Sequence, residues 1–102
     1  MTFRVLPEAE GEAIAAAVWY DERQPFLGDE FLTAVHDALN TIRRSPESLS
    51  RMEQYSGPFD IRRILLKRFP YAVIVLCRPE ETVVVAVAHT RRRPLYWLER
   101  LN

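Results

Sequence analysis

Two nearly continuous apolar runs, Tyr71–Cys77 (YAVIVLC) and Thr82–His89 (TVVVAVAH), most constrain the fold this chain can adopt. Each is too short for an ordinary helix and rich in β-branched residues, so each reads as a strand. A strand apolar along its whole length has to be covered on at least part of both faces. Pro79-Glu80-Glu81 between them supplies a turn, which makes the pair a hairpin. A third run, Asp60–Lys67, carries Ile61, Ile64, Leu65 and Leu66 and joins the hairpin through a turn at Phe69-Pro70.

The cover for such a sheet has to come from the first half of the chain. Phe3–Leu6 reads as a short strand. Pro7 then opens a helix, where its missing N–H costs nothing, and Glu8, Glu10 and Glu12 place acid where the helix dipole favours it. Ala9, Ala13, Ala16, Ala17 and Tyr20 recur at helical spacing and predict a helix over 7–22. Gln24-Pro25 breaks it. Phe31, Ala34, Val35, Ala38 and Ile42 predict a second helix over 27–44, with Arg43 and Arg44 at its C-terminal end and Ser45-Pro46 closing it. The short link makes the two an antiparallel hairpin whose alanines allow close approach. Residues 46–59 are polar, end near Gly57-Pro58 and read as an irregular connector. After the last strand, Pro94 is placed to start a short terminal helix. The expected fold is α+β: a helix hairpin packed on a mainly antiparallel four-stranded sheet in the order β-α-α-β-β-β. At 102 residues, 48% of them hydrophobic, the chain makes a single domain over 1–102.

Charge is balanced overall, with 14 basic and 14 acidic side chains, but not along the chain. Residues 1–59 hold 5 Lys/Arg against 10 Asp/Glu, and residues 60–102 hold 9 against 4. The asymmetry fits a partner-binding basic end, and it equally fits acidic helix faces and a basic sheet that are simply solvated. Cys77, the only cysteine, cannot form an internal disulfide and reads as a small buried hydrophobe, consistent with a reducing cytoplasmic setting. The apolar runs fall far short of a membrane span, and no signal peptide is visible.

Ordinary catalytic signatures are missing. There is no GxGxxG, P-loop or GxSxG, and no clustered metal ligands. Of the two histidines, His36 reads as a helix-surface residue and His89 closes the last strand. The informative segment is RRRPLYWLER. Arg91, Arg92 and Arg93 precede Tyr96 and Trp97, and guanidiniums beside aromatic rings can grip phosphates and stack on bases. They can equally hold carboxylates of a protein partner. The alternative is a solvated arginine tract with Trp97 packed back on the sheet. Arg62, Lys67 and Arg68 would extend the basic surface. Trp19 and Tyr20 read as core and cap aromatics.

Three segments carry a resemblance: WYDERQPFLGDEFLTAV at 19–35, IRRILLKRFPYAVIV at 61–75 and VVAVAHTRRRPLYWLER at 84–100. The first holds an aromatic pair and an LGxxF start, the second an FPY turn, the third an HxxRxPxYW pattern. In this order and at this length the chain resembles the RelE/ParE toxins of bacterial type II toxin–antitoxin systems from end to end. The resemblance implies the same fold order, no cofactor and a small antitoxin partner, with operator DNA reached only through that antitoxin. It implies one of two targets. ParE-like toxins inhibit DNA gyrase; RelE-like toxins cleave mRNA in the ribosome without a metal. In the RelE pattern Arg91 and Tyr96 would be catalytic, but an arginine expected after Tyr71 is Ala72, and of two expected lysines one place holds Arg63 and the other Leu65. The balance favours the ParE-like branch, with Arg62, Lys67, Arg91, Arg92, Arg93, Tyr96 and Trp97 as target- or antitoxin-binding residues. An inactive antitoxin-binding module is the remaining alternative.

Overall fold

The structure, a computed structural model, describes residues 2–101. The chain forms β1 (Thr2–Val5), α1 (Pro7–Arg23), α2 (Leu27–Arg44), a 3-10 turn (Pro46–Ser48), β2 (Ser50–Arg51), β3 (Asp60–Leu65), β4 (Tyr71–Cys77), β5 (Glu81–His89) and a 3-10 turn (Leu98–Leu101). The strands make one sheet in the order β1-β5-β4-β3-β2. All neighbours are antiparallel except β1, which runs parallel to β5.

The expected helix hairpin and four strands are present, and the sheet gains a fifth, two-residue strand. β2 lies in the stretch read as a connector. Leu49 and Met52, on either side of it, are both buried, and the Met52 amide donates to the Ile61 carbonyl at 2.9 Å. Two apolar residues in a polar tract are too weak a pattern to announce a strand. The terminal helical turn begins at Leu98, because Leu95 sits at φ 63° and interrupts any helix started at Pro94.

The motif residues at the helix link have a packing reason. Ala9, Ala13, Ala16 and Ala17 form the buried stripe of α1. A Cβ at Gly28 would overlap the Ala17 carbonyl oxygen, and the Gly28 amide donates to Asp21 Oδ1 at 2.7 Å. Only glycine lets α2 start this close to α1. Three residues on, fully buried Phe31 meets Tyr20, Phe69 and Tyr71 with ring centroids 5.3, 5.2 and 4.9 Å away. The aromatic pair, the LGxxF start and the FPY turn are thus one aromatic cluster seen from three places in the chain.

A bulge divides β5 between two cores. Ile74 pairs with Ala86 and Val75 with Val84, which leaves Val85 as the extra residue. Val84 and Val87 face the helices with Phe31, Val35 and Ile42. Val83, Val85, Ala86 and Ala88 face the other way, onto Trp97, Leu101 and Met52. The sheet is therefore covered on both faces, by the helix hairpin on one and by the C-terminal segment on the other.

Candidate functional site

β1 accompanies β5 only as far as Val84, so the outer edge of β5 from Val85 to His89 has no strand beside it. Unpaired backbone groups at such an edge need partners. Side chains provide them. Glu12, one turn beyond Glu8 on α1, accepts the Val87 amide at 3.0 Å, and Arg100 donates to the Val85 carbonyl at 3.1 Å. Glu12 also receives Arg100 through two nitrogens at 3.0 and 3.1 Å, the Tyr96 hydroxyl at 2.5 Å and Arg92 at 3.4 Å. The Tyr96 ring lies between two guanidiniums, with Arg92 3.6 Å and Arg100 5.2 Å from its centroid. Burial first, and the hydrogen bond to Glu12 second, push the Tyr96 hydroxyl well above the ordinary tyrosine range. Arg100's own hydrogen bond to Glu12 raises the Arg100 guanidinium.

This arrangement sorts the residues expected to act together. Arg91, Arg92 and Arg93 are all exposed just beyond β5. The loop is shaped by the Arg91 amide donating to His89 Nδ1 and the Arg92 amide donating to the His89 carbonyl, both at 3.0 Å. Arg92 is drawn back onto Tyr96. Arg91 and Arg93 form no ion pair among the described residues. Trp97 is 1% exposed and belongs to the second core, so it holds the segment down and offers no surface. Arg62 lies two strands away on β3, where it donates to Asp60 and to the carbonyls of Glu47 and Leu49, fastening the connector. Lys67 sits in the β3–β4 turn beside Arg68, which pairs with Glu30. Neither Arg62 nor Lys67 joins the Arg91–Trp97 cluster.

Glu12 and Arg100 were missed as site residues. Glu12 reads as dipole-directed acid, yet it stands four and eight residues before Ala16 and Tyr20, along the edge of the buried stripe. A carboxylate there needs cations, and the arginine excess at the far end of the chain is the matching signal.

A groove of about 540 Å³ runs between α1 and this strand edge, lined by Ala15, Trp19, Tyr71, His89 and Arg92 among others. Trp19 is half exposed, with Arg23 stacked 3.6 Å over its ring. Tyr20 is part of the core as expected, whereas Trp19 is surface. Ile14 and Val18 of α1 and Leu32 of α2 are further exposed apolar side chains on the helix hairpin. Among the described residues no three His, Cys, Asp or Glu side chains come together to hold a metal, and no helix is long and apolar enough to cross a membrane.

The family model described as ParE toxin of the type II toxin–antitoxin system, parDE, matches residues 3–94. The chain belongs to the ParE toxin family. A chain of the chromosomal ParDE toxin–antitoxin system from P. aeruginosa shares the fold, with a TM-score of 0.75 over 87% of this chain and 95% of that one, at 13% identity. No curated protein sequence matches. The family places an antitoxin opposite this toxin, as the resemblance implied, and the alternation read along the chain corresponds to the ParE fold.

Proposed function

We propose that this ParE-family toxin acts in the cytoplasm as an inhibitor of DNA gyrase, gripping its target through Arg91 and Arg93 and released from action by a cognate antitoxin. The carrying observation is the state of the cluster around Tyr96. Its hydroxyl is held by Glu12 and raised by burial, so it is poorly placed to exchange a proton with an RNA ribose. At Ala72, where a RelE-like site would need an arginine, the sheet is apolar: Ala72 is 3% exposed and belongs to the same buried cluster as Trp97. What remains available is a pair of permanently charged guanidiniums suited to carboxylates or phosphates. The antitoxin reading is supported by the apolar groove beside Trp19 and the basic loop at its end, which suit an extended segment with apolar anchors and acidic flanks.

Induction without antitoxin tests the reading. Filamentation with a DNA-damage response, and loss of supercoiling by purified gyrase, are expected. Rapid translation arrest with codon-phased mRNA cuts would replace the gyrase reading with the ribonuclease one, and unimpaired growth would leave an antitoxin-binding module.

A further inference from the structure

One carboxylate fastens both ends of the exposed arginine loop. On the strand side Glu12 takes the amide of Val87, four positions before Arg91; on the far side it takes Tyr96 and Arg100; in the middle it takes Arg92. Its side chain is only 15% exposed and that of Arg100 17%, so the Glu12–Arg100 pair is shielded from water and salt, whereas Arg92 reaches it from the solvent side. We infer that Glu12 is the positioning residue of the Arg91–Arg93 loop. The inference rests on the reading of that loop as the target surface.

The physical argument is electrostatic and geometric. Arg91, Arg92 and Arg93 are adjacent like charges, and Arg100 is a fourth beside Tyr96. Unopposed, they repel and the loop spreads over many conformations. With Glu12 between Arg92 and Arg100, one of the four charges is offset and two of the side chains are tied down, while the flanking Arg91 and Arg93 stay outside the tie. A loop held in one shape loses less freedom when it binds a partner. Glu12 touches no target in this scheme; it acts through the loop.

Glu12→Gln is the discriminating change, because the amide keeps an acceptor for Val87 and removes the charge. For the folded E12Q protein, trypsin cleavage after Arg91 and Arg92 should speed up about tenfold relative to cleavage after Lys67 and Arg68. The amount of soluble toxin needed to arrest growth should rise by about the same factor, as expected when a partner's binding has to order the loop. A purely structural role would speed cleavage at all four places together. Arg100→Gln, which leaves Glu12 in place but cuts the tie, should give the same pattern, and it decides the matter if E12Q does not melt cooperatively. A folded E12Q or R100Q protein with parental cleavage ratio and parental potency overturns the inference. An Arg91→Ala/Arg93→Ala protein that stays fully toxic overturns the target reading instead, and the cleavage ratio still shows whether Glu12 ties the loop.

Discussion

Trp97 and Arg91 stand six positions apart and separate two meanings of a lost activity. Trp97 fills the second core, so Trp97→Ala should cost about 3–5 kcal/mol and abolish toxicity by unfolding the protein. Arg91→Ala is a surface change, expected to move stability by less than about 0.5 kcal/mol while cutting growth inhibition. Urea denaturation of both variants beside the growth assay checks the contrast; a stable but non-toxic Trp97→Ala protein would contradict it. Gly28 offers a second test. With the Ala17 carbonyl where its Cβ would stand, Gly28→Ala should cost roughly 1–3 kcal/mol, read as a lower urea midpoint, and an unchanged midpoint would mean that α2 can slide. At this scale the sequence exposed the charged and aromatic letters but not their partners. Nothing near Tyr96 along the chain announces the carboxylate that holds it, because Glu12 lies 84 residues earlier.

Among the elements, β5 joins the two cores through its bulge, and α1 supplies both the alanine stripe and the cap for the open strand edge. Three tyrosines report on these contacts. Burial raises Tyr20, Tyr71 and Tyr96 above the ordinary value of 10.0. An acid whose folded-state value is raised contributes stability that is whole below the unfolded value and is lost as pH rises through the folded one. In a Tyr55→Phe background, phenolate absorbance should therefore appear together with loss of helical ellipticity as pH climbs past 10. Phenolate forming in full before any unfolding would show these rings to be solvated. Helices and long strands were legible because their periods repeat over many residues: the stripe Phe31–Val35–Ala38–Ile42 and the run Tyr71–Cys77 each state their element several times over. β2, the bulge at Val85 and the interruption at Leu95 each rest on one or two residues, and only tertiary packing specifies them.

For the molecule as a whole, the uneven charge along the chain becomes an internal arrangement, in which acid from α1 meets base from the C-terminal segment. That segment also closes the second core through Trp97 and Leu101. A chain ending at Thr90 should thus lack cooperative melting, as circular dichroism would reveal; a folded 1–90 fragment would mean that the helix-side core suffices. The pairing of β1 with β5 joins Thr2 to Glu81, and Glu12 meets Arg100 across 88 positions. Contacts this distant form late, since the loops between them have to close first. During synthesis the N-terminal strand and helices emerge long before their partners exist. The half of the sheet that faces away from the helices consequently stays bare until Trp97 and Leu101 have left the ribosome, so completion of the fold waits on the segment that also carries the basic loop.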